Sequence, residues 1–167
     1  MIKTYSVELN AKQKIREARF NLNIIICTDK VGGMMFNKRR VSRDSAVSED
    51  VLKTTRGETL YVKPYSEKLF LPFGEKYAMP RVVENPLDIA KEGEWCFIED
   101  QDVSPYLDKV EKLLIYNWNR FYPYELKFDL SILSSSFRIS ERDKFEGTSH
   151  EEITRELYRK DFRSKAK

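Results

Sequence analysis

The sequence predicts an α/β fold: a central, twisted, mostly parallel sheet with helices on both faces and a C-terminal antiparallel hairpin. Three observations carry that expectation. Short, β-branched apolar runs recur along the chain. They alternate with segments of helical spacing bracketed by capping and stop residues. Beyond residue 127 the alternation gives way to strand-like runs divided by polar turns.

In chain order, residues 1–20 are charged and loosely periodic, with Ile15, Ala18 and Phe20 among Lys12, Lys14, Arg16, Glu17 and Arg19, and read as a peripheral arm or helix. Leu22 to Cys27 is too short and too β-branched for a helix and reads as a buried strand ending at Thr28-Asp29. Ser42-Arg43-Asp44 opens a helix to Thr55, with Ala46, Val47, Val51 and Leu52 on one face and Arg56-Gly57 as the stop. Thr59 to Val62 is a strand, Tyr65-Ser66-Glu67 starts a short helix through Phe70, and Arg81 to Glu84 is a short strand. Asn85-Pro86 begins a helix that Gly93 ends. Trp95 to Ile98 is the next buried strand, Ser104-Pro105 starts another short helix, and Leu113 to Tyr116 is a further strand. In the tail, Phe128 to Leu133, Ser136 to Ser140 and Ile153 to Tyr158 read as strands around the turn at Glu146-Gly147-Thr148, although Glu151 to Arg159 also has helical spacing.

Composition bounds the rest. The chain has 167 residues, with 41% apolar and 34% charged side chains. Its 10 Phe, 9 Tyr and 2 Trp need a dry interior, which excludes a disordered or fibrous chain. No repeat or linker divides it, so 1–167 reads as one domain: the arm at 1–20, a core at 21–160 and a basic tail at 161–167. No apolar run approaches a bilayer span, so no membrane association is expected. Met1 to Tyr5 lacks the pattern of a secretory signal, and Cys27 and Cys96 sit in apolar runs as free, inert thiols, so a cytoplasmic protein is expected. A net charge of +3 does not demand a nucleic-acid partner. Nucleophile-elbow, Walker, zinc-protease and kinase signatures are missing, which removes the commoner hydrolase and phosphotransferase classes.

The order of elements resembles the dihydrofolate reductase superfamily over about residues 22 to 160. Ile24-Ile25-Ile26 with Asp29-Lys30-Val31-Gly32 resembles that family's first strand and mobile active-site loop. Thr59 to Val62 followed by Ser66 resembles the strand and helix start whose hydroxyl contacts cofactor phosphate. Cys96 to Ile98, Val103 to Leu107 and Lys112 to Tyr116 resemble its cofactor strand, helix and following strand, and Phe128-Asp129, Phe137 and the Gly147-to-Tyr158 stretch its terminal strands. The resemblance implies NADPH as cofactor, held by Ser66 and Lys63, and a substrate carboxylate at Asp44, which is also the one catalytic candidate. Two departures oppose ordinary folate reduction. Glu99-Asp100-Gln101-Asp102 stands where the family has consecutive glycines, whose backbone amides approach a diphosphate. The Asn37-to-Arg43 stretch is basic where the family has an apolar loop.

Four constellations remain as site candidates. Lys38, Arg39, Arg40 and Arg43 beside Ser42 and Asp44 either hold a small anionic or nucleotide-like ligand in a cleft at the strand carboxyl ends or form a solvated loop. Asn119 and Arg120 either form the opposite wall, with Trp118 or Tyr122 stacking on a ring, or cap the core. Glu99, Asp100 and Asp102 bind a cation, select among ligands, or cap the Ser104-Pro105 helix. His150, the sole histidine, is a proton-transfer group or, more commonly for a lone imidazole in a polar turn, a surface or capping group. The leading expectation is a divergent binding protein with a degenerate cofactor site and no assigned reaction. The alternatives are an active NADPH-dependent reductase and a non-catalytic RNA- or protein-interaction module using Lys38 to Arg43 and the tail from Arg159 to Lys167.

Overall fold

In the computed structural model, which describes residues 21–161, the chain is built on β1 (Leu22–Thr28). A hairpin follows, β2 (Gly33–Phe36) and β3 (Arg39–Arg40), then helix α1 (Ser45–Thr54) and strands β4 (Leu60–Val62) and β5 (Arg81–Val82). Next come α2 (Pro86–Ile89), β6 (Trp95–Phe97), β7 (Val110–Asn117), β8 (Leu126–Lys127), α3 (Leu133–Ser136), β9 (Phe137–Phe145) and β10 (Ile153–Lys160). Seven strands form one sheet in the order β5-β4-β6-β1-β7-β10-β9. β1 runs parallel to β6 and β7, with Ile24 between Cys96 and Leu113, while β10 is antiparallel to both β7 and β9.

The continuous apolar run of β1 follows from this position. A central strand is covered on both faces, so alternate residues serve two cores. Ile24 and Ile26 pack with Leu113, Ile115 and Phe128, whereas Ile25 packs with Val51, Leu114, Tyr116 and Phe97. α1 covers the second face through Val47, Val51 and Leu52, three of the four positions its spacing singled out, while Ala46 is half-buried. β10 is a strand over its whole length, which resolves the ambiguity at Glu151 to Arg159.

Several expectations need correction. The basic stretch from Asn37 is a hairpin, not a loop: Asn37 and Lys38 both take positive φ (51° and 60°), the two-residue turn whose twist matches paired strands. β2 and β3 join β8 in a small antiparallel sheet. Phe128 to Leu133 is not a strand, because the Asp129 carboxylate accepts the Ser131 amide (3.0 Å) and hydroxyl (2.7 Å) and turns the chain into a 3-10 helix, Leu130–Ile132. The expected helices after Lys63 and Val103 are 3-10 helices, Pro64–Leu69 and Ser104–Lys109. Neither Lys63 nor Val103 caps through its side chain, and at the second it is Asp102, one residue earlier, that accepts the Ser104 amide. The helix expected to run to Gly93 stops after one turn at Ile89, since Asn85 makes no capping hydrogen bond and Ala90 is extended. The arm at 1–20 and residues 162–167 of the basic tail lie outside the described residues. Among the described residues, no helix is long and apolar enough to cross a membrane.

Candidate functional site

The carboxyl ends of β1 and β7 lie side by side, Thr28 opposite Asn117, and the loops leaving them are tied together by a buried carboxylate. Asp29 accepts the amides of Val31 (2.9 Å) and Gly33 (2.8 Å) through one oxygen and the amide of Tyr122 (3.0 Å) through the other. The Asp29-to-Gly32 turn thereby fixes an aromatic residue 93 positions away.

Beside these loops stands the N-terminus of α1. Asp44 is its cap, extended in backbone and accepting the Ala46 amide at 2.9 Å. The rest of its carboxylate is engaged from the loop before β10: by the Thr148 amide and hydroxyl (2.9 Å each), the Ser149 amide (2.9 Å) and His150 Nδ1 (2.8 Å). Gly147 makes this approach possible, since a Cβ there would sit 2.3 Å from Asp44 Oδ2. Neither the Asp44 nor the His150 side chain is more than 2% exposed. Burial alone would push the Asp44 carboxyl upward, but the hydrogen bonds from His150, Ser149, Thr148 and Ala46 outweigh it and hold it well below the usual carboxylate range.

An ionised carboxylate only accepts, so it fixes the imidazole tautomer. Nδ1 carries the proton toward Asp44, leaving the Nε2 lone pair for the Ser42 hydroxyl 2.8 Å away. The Tyr122 hydroxyl in turn donates to Ser42 Oγ at 3.3 Å and lies 3.4 Å from His150 Nε2. Trp118 stacks on the imidazole, ring centres 4.7 Å apart. His150 is therefore not the surface group its polar turn suggested. Its partners Ser42 and Trp118 are distant in sequence, and only the sheet register brings them together.

A second polar cluster bridges the β2–β3 hairpin to the end of β6. Glu99, 6% exposed in its side chain, takes a two-pronged ion pair from Arg40 (2.8 and 3.0 Å) and the Ser66 hydroxyl at 2.7 Å. The Tyr65 ring lies against the Arg40 guanidinium, 4.3 Å from its centroid, and the Tyr65 carbonyl accepts from it at 3.2 Å. Lys63 pairs with Asp100 at 2.9 Å. Asp102 accepts the Ser104 amide and hydroxyl at 3.0 and 2.7 Å. The acidic stretch thus divides among three separate tasks. Among the described residues, no three His, Cys, Asp or Glu side chains are placed to hold a metal ion. Ser66 and Lys63, the hydroxyl and cation that the resemblance assigns to a cofactor phosphate, face Glu99 and Asp100 instead. This set does not fit a dinucleotide diphosphate, because the anion's place is taken by the chain's own carboxylates.

The remaining candidates are distributed around these clusters. Arg39 and Arg43 are exposed, and the expected wall of Arg39, Arg40 and Arg43 is divided because Arg40 turns to Glu99. Asn119, at φ 58°, braces the loop by donating to the Glu152 carbonyl (3.1 Å) and Thr154 hydroxyl (2.9 Å). Arg120 donates to the Ser149 carbonyl at 3.3 Å. Trp118 stacks on His150, the chain's own ring. Cys96 is buried and Cys27 half-buried, and burial raises both thiols, Cys96 to about 12.

Two openings flank the Asp44 cluster. A cavity of about 360 Å³ separates the start of α1 from the 3-10 helices, with Arg43, Ser48, Lys68, Leu69, Phe73 and Ser149 among its lining. A more open groove of about 520 Å³ runs beside the hairpin between Phe36, Arg39, Val41, Tyr122 and Pro123.

No family model matches the chain, and no curated protein matches it in sequence. Among solved structures it is similar to the dihydrofolate reductase of Enterococcus faecalis, complexed with NADP(H) and RAB-propyl, at a TM-score of 0.59 and 11% identity over 86% of this chain and 98% of that one. The chain has a dihydrofolate reductase-like fold.

Proposed function

We propose that the chain binds a small anionic ligand with an apolar or aromatic body, a mononucleotide being the model case, and does not carry out dinucleotide-dependent reduction. The observation that carries this reading is the 360 Å³ cavity beside α1, where Arg43 and Lys68 share a lining with Leu69, Pro72 and Phe73 and with the hydroxyl residues Ser45, Ser48, Thr148 and Ser149. Asp44 also lines the cavity, but its carboxylate oxygens are taken up by Ala46, Thr148, Ser149 and His150. The two cations therefore select an anion, apolar walls accept a ring, and hydroxyls orient polar edges.

The reductase alternative draws less support. The fold's neighbour binds NADP(H), but here Ser66 and Lys63 are engaged by Glu99 and Asp100. Asp44, the pterin partner that the family resemblance implies, is enclosed by Thr148, Ser149 and His150. A calorimetric titration with AMP, GMP, inorganic phosphate, folate and NADPH tests the reading. Saturable binding of a mononucleotide, weakened about tenfold or more by Arg43→Ala or Lys68→Ala, is expected. Folate or NADPH binding with no response to the anions refutes it.

A further inference from the structure

Ser42, His150 and Asp44 form a connected proton chain that the binding reading does not use. The Ser42 hydroxyl is 2.8 Å from His150 Nε2, and His150 Nδ1 is 2.8 Å from Asp44 Oδ2. Four features distinguish this from a polar contact that merely closes a loop. The tautomer is set by an ionised carboxylate, so Nε2 is the basic nitrogen. The Asp44 oxygens are held by three backbone amides, which fixes the orienting group. Trp118 stacks on the imidazole and sets its plane. Ser42 is itself only half-buried, and Tyr122, whose hydroxyl is 3.3 Å from Ser42 Oγ, lines the 520 Å³ groove together with Val41. Nucleophile, base and orienting acid are thus in sequence, a hydroxyl donor stands beside the nucleophile, and a groove adjoins them.

We propose that Ser42 is an acyl-accepting nucleophile and that the chain hydrolyses small carboxylic esters entering from the Tyr122 groove. As Ser42 Oγ bonds to the carbonyl carbon, its proton passes to His150 Nε2, and the Tyr122 hydroxyl donates to the carbonyl oxygen as that oxygen gains charge. The bond to the leaving alkoxide breaks, and the alkoxide takes the proton from His150, leaving an acyl ester on Ser42. Water then attacks the acyl carbon, giving its proton to His150 Nε2. The carboxylic acid departs, and the proton returns to Ser42 Oγ. No oxidant or metal is required. The proposal does not rest on the anion-binding reading: Ser42, His150 and Tyr122 are not part of the Arg43–Lys68 cavity, and of the residues it uses only Asp44 also lines that cavity.

The test is labelling of the folded chain with an alkyl fluorophosphonate, located by peptide mass spectrometry, with p-nitrophenyl acetate turnover measured in parallel. A single adduct on Ser42 is expected, with both signals absent in Ser42→Ala. Labelling should fall by about a hundredfold or more in His150→Gln and by roughly tenfold or more in Tyr122→Phe. His150 is buried, so that variant counts only if its circular dichroism is native. Tyr122→Phe, which keeps the ring, and the wild-type adduct decide the matter without it. No adduct on Ser42 in the wild-type chain overturns the proposal. So does labelling that natively folded His150→Gln, or Tyr122→Phe, leaves unchanged.

Discussion

Glu99→Ala perturbs the cluster that joins Glu99 to Arg40 and Ser66, and its cost can be worked from the geometry. The substitution strips Arg40 of a two-pronged partner and the 1%-exposed Ser66 of its acceptor. Removing one member of a buried ion pair costs about 3–5 kcal/mol, because the other charge is left desolvated. The Arg40 side chain is 18% exposed and recovers some hydration, which places the expected loss near the lower end, at about 3 kcal/mol. For a chain of this size that is roughly 6–12 °C in melting temperature. Urea denaturation followed by tryptophan fluorescence measures it, with the exposed Glu67→Ala as a control expected within about 0.5 kcal/mol of wild type. A second arm is more specific. With the carboxylate gone, Arg40 and Ser66 can take inorganic phosphate, which at 100 times its dissociation constant restores about 2.7 kcal/mol. A loss below about 1 kcal/mol, or phosphate stabilising wild type and variant equally, would refute the reasoning.

Other parts of the structure give equally concrete expectations. The Asp44 carboxyl is depressed in the folded state relative to the unfolded one, so its stabilisation is complete above about pH 4 and is lost as pH falls below that value. Asp44→Asn should flatten the acid limb of a stability-versus-pH curve, and an unchanged limb would contradict the network. Gly147→Ala forces a Cβ to within 2.3 Å of Asp44 Oδ2 and 2.7 Å of Ile153 Cδ1, and should cost about 1–3 kcal/mol in chemical denaturation. Leu114→Ala, at a fully buried position between β1 and β10, should cost about 2–5 kcal/mol. With both thiols raised by burial, Cys27 and Cys96 should resist iodoacetamide at pH 8 in the native chain and react once guanidinium unfolds it. Rapid native alkylation would show that the β1–β6 pair opens.

Where the sequence could be read and where it could not follows from the range of the forces involved. β1 and β7 declared themselves because a strand buried on both faces needs an unbroken apolar run. α1 did so because Val47, Val51 and Leu52 keep helical spacing behind an N-capping Asp44. The weak helices failed for a local reason, although Tyr65-Ser66-Glu67, Asn85-Pro86 and Ser104-Pro105 signal a helix start. The residues at the N-cap, Lys63, Asn85 and Val103, make no side-chain capping bond, and the chain settles for one turn or a 3-10 helix. The hairpin at Asn37-Lys38 was hidden because a lysine at positive φ is not a turn signal. The site was least legible. The acidic stretch at Glu99 read as repulsive to a cofactor, while its union with Arg40 and Ser66 depends on contacts 59 and 33 residues apart. The loop that carries His150 closes on Asp44 past Gly147, where a Cβ would sit 2.3 Å from Asp44 Oδ2, so the contact depends on one missing Cβ.

The most direct test of a dihydrofolate reductase-like fold whose anchor points are held by its own side chains is an equilibrium titration with NADPH, run on the wild-type chain and on Glu99→Gly/Asp100→Gly. The expected result is no saturable binding by wild type tighter than about 1 mM, with measurable binding appearing in the double variant as Arg40, Ser66 and Lys63 are released. Saturable micromolar binding of NADPH by the wild-type chain would contradict it.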